Sequence, residues 1–196
     1  MNRLIFDIET IPADESKREL IESLAKRKKE NAFRGTGLDG NFGRILCIGY
    51  IKEPPGSDQS SIITGDEKDI LIEFWKIARD VDVFIGHNVM EFDLKFIYKR
   101  SVILGIKPSR ELNFARYRSE PIYDTMKEWE KWSMGRATSL DSLAKIFGFQ
   151  TSKDDMCGSE VYEKYLQEKH EEIYKYCKKD VELTRKIYYK MNFLTL

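Results

Sequence analysis

Asp7 and Glu9 stand two residues apart in Phe6-Asp7-Ile8-Glu9-Thr10. On a strand such residues share a face. Leu4-Ile5-Phe6 and Ile8 place apolar side chains on both faces, as a buried strand over residues 3–9 requires. Two carboxylates side by side at the end of an apolar strand repel each other, and desolvation adds to the cost. A hard divalent cation is the usual remedy, because carboxylate oxygens suit magnesium or manganese. Taken alone, Asp-x-Glu more often marks a solvated turn or a helix cap.

Two further segments carry candidate groups. In Ile85-Gly86-His87-Asn88-Val89-Met90-Glu91-Phe92-Asp93 a strand runs into a loop and then a helix beginning near Phe92. Asp93 falls in the first helical turn, where the helix dipole favours an anion. A plain helix-start aspartate would explain it equally, and His87 reads as a structural histidine. In Tyr174-Lys175-Tyr176-Cys177-Lys178-Lys179-Asp180, Tyr176 and Asp180 are four apart and share a helical face. That helix can present a phenol and a carboxylate to one point; an ordinary amphipathic helix with an exposed aspartate is the alternative.

The elements that must position these groups follow from periodicity. After the first strand, residues 13–32 read as a charged helix with a short Leu20, Ile21, Leu24 stripe and a Lys26-Arg27-Lys28-Lys29 run. The glycine-rich residues 35–43 read as a mobile loop. Strands are expected at 44–52 and 61–64, separated by a Pro54-Pro55-Gly56 turn, which suggests an antiparallel meander. The rhythm then becomes helix 67–79, strand 81–85, helix 92–104 ending at Gly105, and strand 121–123. Helices at 125–132, 139–147, 159–166 and 171–191 complete the chain. Meander followed by strand–helix alternation predicts an α/β fold, a mixed five-stranded sheet flanked by helices. It reads as one domain over residues 1–196, with a charged helical insertion at about 13–43 that has no assigned task.

Taken in order, the three acidic segments resemble the DEDD exonuclease superfamily, whose fold is ribonuclease H-like. That superfamily places Asp-x-Glu on the first strand, an Asp after a strand and loop, and a last Asp on a late helix. The late helix carries a tyrosine four residues before its Asp or a histidine five before. Tyr176 fills the tyrosine position and Lys175 stands at the other, so the chain is similar to the tyrosine subclass. The segment Arg44-Ile45-Leu46-Cys47-Ile48-Gly49-Tyr50, the stretch 86–93, Ser139-Leu140-Asp141-Ser142-Leu143-Ala144, and Met156-Cys157-Gly158-Ser159 with Val161 extend the likeness. Together they resemble stand-alone relatives of the family B DNA polymerase proofreading domain over nearly the whole chain.

The resemblance implies a metal-dependent 3′-5′ exonuclease that degrades single-stranded nucleic acid, DNA favoured, from a free 3′ end. Its products would be nucleoside 5′-monophosphates, formed by a two-metal-ion mechanism. Asp7 would bridge two divalent cations, Mg2+ or Mn2+. Glu9 and Asp180 would complete one site and Asp93 would support the other through water. Tyr176, whose unperturbed pKa is about 10, would stay protonated and position the attacking water. Asn88 and Phe92 are candidate contacts to the terminal nucleotide, by hydrogen bonding and stacking. Thr10 and Ile11 could meet the last base or sugar. The bland readings are a turn residue for Asn88 and core for Phe92 and Ile11. Arg116-Tyr117-Arg118 could track phosphates, as could the 26–29 run if it is more than a solvated face, and Asp124-Thr125 reads as a helix cap.

Alternatives within reach of the same motifs are an exoribonuclease of the ribonuclease D type and an endonuclease of the ribonuclease H type. A catalytically silent nucleic-acid-binding module would be expected to have lost a carboxylate, and all four positions are filled. Composition narrows the field further. Basic and acidic residues number 33 each, so the net charge of zero argues against a general nucleic-acid coat. No apolar run approaches bilayer length, and residues 1–7 lack a signal-peptide stretch, so no membrane is expected. Cys47, Cys157 and Cys177 form neither a disulfide framework nor a Cys-x-x-Cys site, which fits reduced thiols in a cytoplasmic protein.

Overall fold

A computed structural model describes residues 1–25, 29–54, 59–151 and 156–195, without the side chains of Lys29 and Glu30. Five strands form one sheet: β1 (Arg3–Ile11), β2 (Arg44–Glu53), β3 (Ser61–Ile63), β4 (Val83–Gly86) and β5 (Ile122–Asp124). Their order is β3-β2-β1-β4-β5, with β1–β2 and β2–β3 antiparallel and β1–β4 and β4–β5 parallel. The meander-then-parallel arrangement expected from the sequence is therefore present, with β1 at the centre.

Alternation along β1 divides the core. Leu4, Phe6 and Ile8 face α3 (Glu67–Ala78) and α4 (Asp93–Ile103), within a cluster that includes Phe74, Trp75, Phe84 and Leu94. Ile5 faces α8 (His170–Met191) beside Ile51, Val181 and Tyr188. The odd-numbered face thus runs from apolar Ile5 to Asp7 and Glu9 beneath α8, because side chains two apart share a face. α5 (Thr125–Trp129), α6 (Leu140–Phe147) and α7 (Val161–Leu166) lie between β5 and α8 in sequence. Among the described residues no helix is long and apolar enough to cross a membrane.

The insertion differs most from expectation. Instead of one helix over 13–32 there are two short ones, α1 (Arg18–Leu24) and α2 (Lys29–Gly35), after a 3-10 turn at Glu15–Lys17. Ala25 leaves helical geometry at φ −72°, ψ 112°. The expected run at 26–29 and the Pro55-Gly56 part of the turn lie outside the described residues or side chains. Residues 35–43 are packed rather than a free loop. Thr36 is buried, donating its hydroxyl to the Phe33 carbonyl at 2.5 Å and accepting the Ala13 N–H at 2.9 Å. Elsewhere the shifts are small: β4 starts at Val83, α5 ends at Trp129, and a 3-10 turn at Gly158–Glu160 precedes α7.

Candidate metal centre

The acidic residues predicted from the sequence arrive from three elements. β1 brings Asp7 and Glu9, α4 brings Asp93 in its first turn, and α8 brings Tyr176 and Asp180. The approach of α8 depends on Gly49, which pairs with Asp7 across the β1–β2 ladder. A Cβ on Gly49 would lie 2.9 Å from Cys177 Sγ and 3.1 Å from Val181 Cγ2, so only glycine lets the helix settle there. A register shift between Glu9 and Thr10 follows directly. Such irregularities end regular pairing and re-aim side chains.

Asp93 is fixed by the loop before it. Its Oδ1 accepts the Ile8 N–H at 3.1 Å, which docks the start of α4 against β1. The loop itself hangs on Asp124, at the end of β5. The Asp124 carboxylate accepts backbone N–H groups from Asn88 (3.0 Å), Met90 (3.1 Å), Met126 (3.1 Å) and Lys127 (3.2 Å). The sequence reading of Asp124 as the cap of α5 is met by two of these bonds, and the other two reveal a second job. Close packing at the root of the loop excludes any side chain on Gly86, whose Cβ would sit 2.7 Å from that of Val89.

Electrostatics mark the cluster. Burial first, then the neighbouring Asp93, Glu9 and Asp180 carboxylates, hold the Asp7 carboxyl well above its usual range. Glu9 is raised well above its own by burial, the Cys47 sulfur, Asp180 and Asp93. Burial lifts Asp93 from 3.8 to about 7 despite the Ile8 N–H, with Asp124 adding to the rise. Among the described residues no cationic side chain is among the causes for these three groups, so burial and mutual repulsion dominate. A set of largely buried oxygen donors in this state fits hard divalent cations, which would offset both the burial and the repulsion. Tyr176 is raised by burial and by Asp180, to which it is hydrogen bonded, and then by Glu9 and Asp7. Its phenol therefore stays protonated.

Cys177 is the neighbour that sequence reasoning missed. Its Sγ lies 3.5 Å from the Asp7 carbonyl oxygen and 3.9 Å from Asp7 Oδ2. Ligand-capable atoms of Asp7, Glu9 and Cys177 all lie within 4.8 Å of one another. A cysteine one position after Tyr176 gives no sign of this until the Asp7–Gly49 register is known. His87 behaves as the structural histidine expected: its Nδ1 is 2.9 Å from Thr125 Oγ1, and burial lowers its pKa to about 4.

Beside the carboxylates lies a pocket of about 330 Å³, whose lining includes Ile8, Glu9, Thr10 and Phe92. Thr10 and Phe92 thus stand where a ligand could meet them. Ile11 is 3% exposed and packs among Cys47, Val161 and Tyr176. Asn88 is outside the pocket wall and serves as a turn residue at φ 60°, its carbonyl accepting the Phe92 N–H at 3.1 Å. Residues 116–118 are exposed, with the Tyr117 ring 5.4 Å from that of Trp132. A larger cleft of about 810 Å³, between Tyr98 and Arg110, contains none of the carboxylates.

Two comparisons bear on this arrangement. The sequence model of a family described as a predicted 3′-5′ exonuclease related to the exonuclease domain of PolB matches residues 57–195. Among solved structures, the family B DNA polymerase from the hyperthermophilic archaeon Pyrobaculum calidifontis aligns with a TM-score of 0.70 at 18% sequence identity. That match covers 98% of this chain and 24% of the polymerase, so the chain spans about a quarter of its length. The likeness gives the ribonuclease H-like fold. No curated protein sequence matches the chain. The family match takes in Asp93, Tyr176 and Asp180, while Asp7 and Glu9 precede it.

Proposed function

The chain belongs to the family of predicted 3′-5′ exonucleases related to the exonuclease domain of PolB, and from that premise we propose that it hydrolyses single-stranded nucleic acid from the 3′ end. DNA is the favoured polymer and nucleoside 5′-monophosphates are the products. The observation that carries this reading is the set of buried carboxylates Glu9, Asp93 and Asp180 that all act on the half-buried Asp7, beside a protonated Tyr176.

Asp7, Glu9 and Asp180 would hold one divalent cation, and Asp7 with Asp93 a second, Mg2+ or Mn2+ in each case. Cations held there would offset the charge of the carboxylates and would supply Lewis-acid activation of water and stabilisation of charge on the phosphodiester oxygens. The remaining work belongs to the chain. Tyr176 cannot serve as a base at neutral pH, so its O–H orients the water by hydrogen bonding while Asp180 fixes the phenol. Ile8 N–H keeps the Asp93 carboxylate turned toward β1. Thr10 and Phe92, in the pocket wall, receive the terminal nucleotide, Phe92 by contact with the base. Asn88 acts through the loop that carries Phe92 and Asp93.

Linear and covalently closed single-stranded DNA of the same sequence, digested side by side in Mg2+, test the requirement for an end. Loss of the linear form as 5′-monophosphates, with the circle intact, is expected. Linearisation of the circle would replace an exonuclease with an endonuclease, and faster loss of linear RNA than DNA would move the assignment to an exoribonuclease.

A further inference from the structure

The segment between β1 and β2 supplies a wall of the pocket beside Glu9. Arg34, Gly37 and Leu38 line it together with Glu9, Thr10 and Phe92. This wall is anchored on three sides. The Thr10 hydroxyl donates to the Gly37 carbonyl at 2.5 Å, and Thr36 takes the Ala13 N–H at 2.9 Å, which ties the turn to the strand bearing Asp7 and Glu9. A Cβ on Gly40 would lie 3.1 Å from Phe96 Cα, so the returning chain rests directly on α4. Arg34 pairs with Glu163 at 2.8 Å and lies 5.7 Å from the centre of the Tyr162 ring, linking α2 to α7.

On this fixed frame the Leu38 side chain is left 77% exposed. A lone leucine on a convex surface would call for no explanation. Leu38 instead lines a concave site of about 330 Å³, within the range of small-ligand pockets, next to a catalytic carboxylate. Phe92, half-buried in the same wall, offers a second apolar surface. Every nucleobase has an apolar face, and contacts to it tolerate any sequence, as repeated removal of the last nucleotide requires.

We infer that the turn Thr36–Leu38 is the outer jaw of a clamp, gripping the terminal base with Leu38 and Phe92, which makes the insertion a substrate-binding element. The inference rests on the exonuclease reading for the class of ligand.

Isothermal titration of the full chain in Mg2+ with dTMP and with 2-deoxyribose 5-phosphate isolates what the base contributes. The wild-type chain should bind dTMP about tenfold more tightly, the lower range of one stacked base. Leu38→Ala should reduce that ratio to about threefold or less without weakening the sugar phosphate, and Leu38→Met should restore most of it. A structural injury would weaken both ligands together. An unchanged ratio in Leu38→Ala, or a wild-type chain with no preference for the base, overturns the clamp. Should the wild type leave linear single strands intact yet show the base preference and its loss in Leu38→Ala, the exonuclease reading fails and the clamp stands. Shortened strands with an unaltered ratio overturn the clamp and leave the exonuclease standing.

Discussion

At Asp7, burial and three other carboxylates all oppose the negative charge. Removing that charge in the absence of metal should therefore stabilise the fold. Asp7→Asn in chelator at pH 8 is expected to raise Tm by at least ~2 °C, the shift made by about 1 kcal/mol in a chain of this size. The same variant should lose most of the Tm gain that Mn2+ gives the wild type; an Asp7→Asn chain less stable than wild type in chelator would contradict the repulsion. Asp93 adds a pH dependence of defined sign. Its proton is held in the fold to about pH 7 but released near 3.8 when unfolded. Between those values the folded state binds more protons, so stability falls as pH rises. Metal-free protein scanned by calorimetry should lose Tm across that window, and Mn2+ should restore more of it at the upper end than at the lower. A flat or rising Tm in chelator would show that the carboxylates are not forced to keep their protons.

The helix and loop that carry these residues are positioned by side chains with no chemistry of their own. Gly49 admits α8, and Gly49→Ala should cost about 1–3 kcal/mol in a urea titration, because an added methyl meets Cys177 and Val181. Pairing it with Cys177→Ala removes the nearest clash and should recover part of the loss. Asp124 holds the 88–93 loop, so Asp124→Ala should cost about 2–4 kcal/mol through four stranded N–H groups. Asp124→Asn, which keeps an acceptor oxygen, should cost less. The division between legible and hidden in the sequence falls along the same line. Asp7–Glu9 and Tyr176–Asp180 could be read because strand and helix periods put each pair on one face. The sheet followed from a first strand apolar on both faces, the meander after it and the strand–helix alternation beyond. Gly49, Cys177 and the loop-holding half of Asp124 could not be read, since each matters through a partner more than thirty residues away. The insertion was misread for a related reason. Glycines at 35, 37, 40 and 43 signal a loop locally, whereas Gly40 is small because Phe96 of α4 packs against it, and Gly43 because a Cβ there would lie 2.2 Å from the Thr36 carbonyl oxygen and 3.0 Å from the Phe96 ring.

At the scale of the whole molecule, a sheet with β1 at its centre brings the early, middle and late acidic segments to one place. An even balance of 33 basic and 33 acidic residues means that any grip on a polyanion must be local. The pocket beside Glu9, walled by the insertion and α7, supplies such a place. Membership of a family described as predicted 3′-5′ exonucleases agrees with a site that works on nucleic-acid ends. The most direct test follows a 5′-labelled single strand of DNA in Mg2+, Mn2+ or chelator, with wild type, Asp7→Asn and Tyr176→Phe. A ladder shortening from the 3′ end is expected only with metal. Asp7→Asn should reduce its rate by a factor on the order of 10³, and Tyr176→Phe by roughly tenfold to a hundredfold. Shortening that persists in chelator, or in Asp7→Asn at the wild-type rate, would contradict a metal centre built on these carboxylates.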